Sequence, residues 1–258
     1  MIESSVFFTD EAVDLNETVD FCNNIKSLVF NDCFNKPVDN LPSHITSLSF
    51  GYSFNQRVDN LPESIQILNF GENFDQPVDS LPGSIKYISF GYYFNQPVDC
   101  LPKSVTELGF TGKFNQPVNN LPPSIQKLHF GKDFNQPVDN LPSSIKNITF
   151  GWRFNQPVDN LPASITEIYF YGDFNQPVEM LPMSLKNLVL GYSFNKPIHN
   201  LPKSLKNLSL GYSLAQPLDN LPISLTRLNL LCKYEYPLEK LPRFIIIINV
   251  NGCRIKYI

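Results

Sequence analysis

Charged residues are scarce in this sequence, cysteines are few, and apolar runs are short. Of 258 residues 17% are charged, and the 20 basic and 24 acidic side chains lie scattered without a long run of either sign. A nucleic-acid surface needs concentrated positive charge, so nucleic acid is not an expected partner. No stretch reaches the roughly eighteen consecutive apolar residues of a spanning helix, so no membrane association is expected. The five cysteines (Cys22, Cys33, Cys100, Cys232, Cys253) form an odd set with no metal-ligand spacing. Disulfide frameworks belong to small, cysteine-dense secreted domains, so free thiols in a reducing compartment are expected. The opening MIESSVFFTDEAVD has no basic region and no adequate apolar region of a signal peptide. A cytoplasmic protein is the expectation. On that reading the N-x-S/T triplets at Asn16, Asn147 and Asn207 are incidental.

Catalytic constellations are missing too. The histidines His44, His129 and His199 stand far apart, with no cysteine or serine paired to them at a comparable site. Neither a zinc site nor a nucleophilic triad can be assembled from them. No glycine-rich phosphate loop occurs. The sequence therefore predicts no enzyme, no metal and no cofactor.

What is present is repetition. FNQPVDNLP occupies residues 134–142 and again 154–162, and near-copies start at Phe34, Phe54, Phe74, Phe94, Phe114, Phe174 and Phe194. Leu214 and Tyr234 continue the column, so the period is twenty residues, eleven times over. One unit reads LPESIQILNFGENFDQPVDS from Leu61. Leu68 and Phe70 have strand spacing and point inward, leaving the residues between them outward. Pro77 and Pro82 exclude a helix on the return path, because proline removes a donor and clashes with the preceding turn. Each coil thus holds one short strand, and coils stack into a parallel sheet. A lone coil cannot bury its own apolar face, so the coils fold only as a stack.

Two columns beside the strand carry expectations of their own. The phenylalanines should stack ring on ring down the core. Asn55 and its copies, with Asp at 75, Ala at 215 and Glu at 235, should satisfy turn backbone from coil to coil, since an amide both donates and accepts. The carboxylates Asp39, Asp59, Asp79, Asp99, Asp139, Asp159, Glu179, Asp219 and Glu239 form a third column. A calcium ladder is one reading; solvated side chains bonding their own turns is the one adopted.

The signature FNQPV(D)NLPxSIxxLxFG resembles the FNIP repeat over about residues 21–254, with FNQP and FNKP as variants of the Phe-Asn-Ile-Pro core. The units are slightly shorter than is usual for that family, and the leader is shorter than the F-box many members carry before their repeats. The resemblance implies a relative of leucine-rich repeats, in slime moulds or in giant viruses of amoebae. It also implies the fold expected here: all-β, a leucine-rich-repeat-like solenoid of eleven 20-residue coils, one short parallel strand per coil, no regular helices. Residues 1–20 are assigned as an N-terminal cap, 21–239 as the repeat solenoid and 240–258 as a C-terminal cap. In that cap Ile246 and Ile247 are read as standing where polar residues stood in earlier coils.

Function is sought where the repeat varies. The outward strand columns change freely, and exposed aromatics follow the strand at Tyr52, Tyr92, Tyr93, Trp152, Tyr171, Tyr192 and Tyr212. Tyr, Trp and Arg dominate interface energetics. The expected partner-binding residues are Tyr87, Tyr92, Tyr93, Glu107, His129, Trp152, Arg153, Glu167, Tyr169 and Tyr171. The expected function is a protein-interaction scaffold in the cytoplasm, that of an infected host if the chain is viral. Its partner would be a protein of that host or of the ubiquitin pathway. A substrate-recognition subunit of a ubiquitin ligase is one alternative, and a self-assembling structural protein the other. The scaffold is expected to be a monomer, or to associate weakly through its C-terminal edge.

Overall fold

Two prolines per coil leave only a short segment free to pair, and the strands are accordingly three or four residues long through most of the chain. The computed structural model describes residues 25–231, 234–237, 240–242, 245–250 and 253–256, together with strand 5–8; for 5–8, 247–250 and 253–256 it describes the backbone alone. The protein is a parallel β-solenoid, and none of the described residues is helical. Among the described residues no helix is long and apolar enough to cross a membrane. The chain divides into two compact units, 1–131 and 132–258.

In the first unit the strands are β1 (Ser5–Phe8), β2 (Ser27–Phe30), β3 (Ser47–Ser49), β4 (Ile67–Asn69), β5 (Tyr87–Phe90), β6 (Glu107–Phe110) and β7 (Lys127–His129). Each pairs in parallel with the next, and from β2 onward the partners are one repeat apart, as in Ser47↔Ile67 and Leu48↔Leu68. The first step differs. Ser5 pairs with Ser27, a step of 22 residues, so the leader carries a strand of the same sheet. The rest of the 1–20 cap, with Cys22, lies outside the described residues.

The second unit holds β8 (Asn147–Phe150), β9 (Glu167–Phe170), β10 (Asn187–Leu190), β11 (Asn207–Leu210), β12 (Arg227–Leu230), β13 (Ile246–Val250) and β14 (Cys253–Lys256). Pairing is parallel through β13, and β14 turns back antiparallel onto β13. Arg227 pairs with Ile246 and Leu228 with Ile247, a step of 19 residues. Ile247 is therefore in register with an inward leucine and not with a polar position, contrary to the sequence reading. Ile246 takes the outward place and is exposed. Residues 243–244, 251–252 and 257–258 of the 240–258 cap, along with Cys232 and Glu239, lie outside the described residues.

Side chains alternate across each strand as the period of two demands. Leu48, Leu68, Ile88, Leu108, Ile148 and Ile168 are buried while their neighbours face out. The phenylalanines form two columns, and they interlock. Within a coil the strand ring lies flat on the turn ring, as in Phe50–Phe54 at 3.7 Å and Phe170–Phe174 at 3.7 Å. Between coils each ring stacks on its own copy at longer range, Phe54–Phe74 at 6.0 Å and Phe154–Phe174 at 6.1 Å. Such pairs add roughly 0.5–1.5 kcal/mol each beyond burial.

Polar ladders close the turns. Asn55 Oδ1 accepts from the backbone N–H of Asp75 at 2.9 Å and from Gln76 Nε2 at 3.0 Å, and Asn155 serves Asn175 and Gln176 in the same way. Asp75 replaces the amide without loss, because its carboxylate accepts from Asn95 N–H and Gln96 Nε2. Of the carboxylate column, Asp59 bonds within its own turn, accepting from Arg57 Nε at 2.6 Å. Asp39, Asp99 and Asp139 accept from the side-chain amides of Asn60, Asn120 and Asn160 in the following coil. Serine hydroxyls add a further step, Ser84 to the Ile65 carbonyl and Ser184 to the Ile165 carbonyl, each at 2.5 Å. Backbone follows backbone so closely that a Cβ on Gly71 would lie 1.8 Å from the Gly51 carbonyl oxygen. Glycine is there because nothing larger fits.

Candidate interaction face

The scaffold spends its apolar and amide side chains inward, which leaves three places per coil to vary: the residue before the strand, the outward strand residues, and the turn after it. In the first unit Tyr87 and Glu107 stand on neighbouring outward positions, paired in register between β5 and β6. With Ile67 and Lys86 they line an open cavity of about 540 Å³. Glu107 is held by Lys127 Nζ at 2.8 Å, the lysine largely and the carboxylate partly solvated, so the pair orients more than it stabilises. Tyr92 and Tyr93 meet edge to face at 5.1 Å, and Lys113 Nζ lies 4.5 Å from the Tyr93 ring centre. His129 projects from β7 as an exposed residue by surface area, yet its surroundings remove enough water to lower its imidazole pKa. No contact joins it to Tyr87, Glu107 or the tyrosine pair.

In the second unit Tyr169 donates from its hydroxyl to Glu167 Oε2 at 2.9 Å, and Asn147 Nδ2 donates to the same oxygen at 2.9 Å. Burial first, and then the hydrogen bond to Glu167, push the Tyr169 phenol up to about 12. Arg153 is turned toward Asp133, Nε to Oδ1 at 3.3 Å. Trp152 makes its ring contact with a residue outside the ten expected: Tyr192, at 6.0 Å, which in turn lies 5.5 Å from Tyr212. These three rings and Tyr171 remain about half exposed, at 48%, 51%, 61% and 49%. Sequence reading saw Tyr192 and Tyr212 as members of the turn column but did not join them to Trp152. The signal was Gly172, standing between them in that column where the glycine usually comes one residue earlier.

Among the described residues no group of three or more His, Cys, Asp or Glu side chains is placed to hold a metal ion. Cys33 and Cys100 are exposed free thiols.

A family model, the FNIP Repeat, matches the chain nine times, from 17–53 through 54–93, 77–113, 94–133, 114–151, 134–173, 154–193 and 174–213 to 194–233. Among solved structures the chain is similar to CroV588, a giant-virus protein described as a novel circular leucine-rich-repeat structure. The two are 29% identical, with a TM-score of 0.69 over 96% of this chain and 50% of that one. This chain thus spans half the length of CroV588. YopM from Yersinia enterocolitica is also similar, at 17% identity and a TM-score of 0.49 over 92% of this chain and 66% of its own. No curated protein matches the chain.

Proposed function

Because the chain belongs to the FNIP repeat family, whose coils here form a leucine-rich-repeat-like solenoid, we propose that it is a non-enzymatic scaffold that binds another protein. Binding runs through the outward strand residues and the aromatic turns that border them. The observation that carries this reading is the ridge of Trp152, Tyr192 and Tyr212, in which Tyr192 makes ring contact with each of the other two and all three are about half exposed. Rings that merely closed an edge would bury one another. Large exposed aromatics in contact mark interaction surfaces. Tyr87, Glu107, Tyr93 and Tyr169 extend the same kind of surface within their own units.

The test is capture from an amoeba lysate, the setting the family implies, by the native chain and by a Tyr93→Ala, Trp152→Ala, Tyr169→Ala variant. Circular dichroism checks that both fold. A protein retained by the native chain and lost by the variant is the expected result, and a ubiquitin-ligase adaptor in that eluate would give the scaffold its pathway. Equal retention would move binding off these residues.

A second reading rests on the ends. The outer edges of β1 and β14 have no partner strand among the described residues, and an open edge pairs readily with another chain. On this reading copies join end to end, and a faster-sedimenting species appears as concentration rises.

A further inference from the structure

The charge of this protein is sorted by coil position in a way that no run of residues along the chain reveals. The residue just before each strand from β8 to β12 is Lys146, Thr166, Lys186, Lys206 and Thr226, and Arg227 follows at the start of β12. Backbone bonds hold this column in step. Thr166 N–H donates to the Lys146 carbonyl, Lys186 N–H to Thr166, Lys206 N–H to Lys186 and Thr226 N–H to Lys206, at 2.8–2.9 Å throughout. Lys186 and Lys206 therefore stand one strand spacing apart, roughly 4.8 Å, with like charge beside like charge.

All four cations are exposed, and none has an ion-pair partner among the described residues. Glu167 is the one carboxylate on the adjoining outward strand positions, and it is engaged by Asn147 and Tyr169. The other outward places there are polar or neutral: Asn187, Asn207 and Ser209 among them. The carboxylates Asp139, Asp159, Glu179 and Asp219 sit on a different column of the coil, after the valine or its equivalent. A chain of net charge −4 thus presents a strip of uncompensated positive charge.

The fold does not need lysine here. Thr166 and Thr226 fill the same place and bond the preceding lysine carbonyl through their hydroxyls, and the first unit has Thr46, Gln66, Thr106 and Gln126 there beside Lys26 and Lys86. Adjacent like charges disfavour the sheet slightly, so the lysines work against the scaffold they stand on.

Resting on the interaction-face reading above, we propose that the strip from Lys146 to Arg227 docks an acidic, extended polypeptide segment of a partner protein. Four strand spacings cover roughly 19 Å, the reach of about six extended residues. The segment crosses the coils with carboxylates toward the lysines, and the asparagine side chains of β10 and β11 offer it amide groups. A nucleic-acid backbone would meet the same cations, but long-range repulsion from an acidic protein works against a polyanion of that length.

The test uses fluorescence anisotropy on the full chain with a labelled peptide of about eight residues alternating glutamate and serine. Lysine–serine and tyrosine–serine peptides and a short oligothymidylate serve as comparisons. The acidic peptide should bind, and should weaken about tenfold or more when salt rises from about 50 to 300 mM. A Lys146→Thr, Lys186→Thr, Lys206→Thr variant, using the column's own alternative residue, should lose it, and the corresponding triple arginine variant should keep it. No binding of the acidic peptide, or equal binding by the threonine variant, overturns the proposal. So does tighter binding of the oligothymidylate that the threonine variant also loses. If the acidic peptide fails while the tyrosine–serine peptide binds and is lost on Trp152→Ala, the acidic partner falls but the interaction face stands. Failure of every peptide counts against both.

Discussion

Trp152 and Tyr192 stand forty residues apart in the chain, yet their ring centroids lie 6.0 Å apart, on either side of the column place filled by Gly172. A Cβ on Gly172 would lie 2.0 Å from the Trp152 carbonyl oxygen. The ridge thus depends on a glycine that brings two backbones together and leaves no side chain between two rings.

Gly172→Ala should destabilise the protein by about 1–3 kcal/mol or more, since backbone at that range cannot yield cheaply. The control is Gly83→Ala, where an added Cβ meets nothing within 4 Å; it should be neutral or stabilising by up to about 1 kcal/mol. Denaturant midpoints read both. Equal midpoints for the two variants would mean that the coils do not approach as closely as described.

The amide ladder makes a second prediction. Asn55→Ala removes the acceptor for Asp75 N–H and Gln76 Nε2, and unsatisfied half-buried donors cost about 1–3 kcal/mol. Asn55→Asp should cost much less at neutral pH, because Asp75 already fills that role one coil on. Urea titration of the two variants separates acceptor geometry from mere size.

Phe54 is wholly buried between Phe50, Phe34 and Phe74. Phe54→Ala should cost about 3–5 kcal/mol. Phe54→Leu should cost less, since Leu214 occupies the equivalent place as a buried residue. A larger loss for leucine than for alanine would contradict the packing.

Tyr169 offers a test by pH. Its phenol is raised from the ordinary 10.0 to about 12, by burial first and by Glu167 next. A raised folded-state pKa contributes stability that is full below the unfolded value and lost as pH rises through the folded one, a window here from pH 10 to about 12. Glu167→Gln should lower the Tyr169 value, read from the ring carbon shift in NMR with Tyr169→Phe for assignment. An unchanged value would leave burial as the sole cause.

Much of this was legible in the sequence because one signature repeats at one period. The inward leucines and isoleucines, the phenylalanine columns and the asparagine ladder all follow from residues that recur. The ends were not legible. The step from Ser5 to Ser27 is longer than the repeat and that from Arg227 to Ile246 shorter, and both fall where the signature has faded, so backbone pairing alone sets the register. The face-to-face contact within a coil, Phe70 on Phe74 at 3.7 Å, depends on how the turn folds back, which strand spacing does not encode. The lysine strip was hidden differently. Lys146, Lys186 and Lys206 are never close in sequence, and only the stacking of coils brings them into one column.

The central claim is that a partner protein binds the outward strand face and its aromatic turns, and site-specific photo-cross-linking tests it most directly. A photoreactive phenylalanine would replace Tyr171 or Tyr212 in one set of chains and Asp139 or Asp159 in another, all exposed or nearly so. Cross-linking to a distinct partner band from the tyrosine positions, with little from the aspartate positions, is the predicted result. Cross-linking mainly from the aspartate positions would contradict it and place the partner on the return side of the coils.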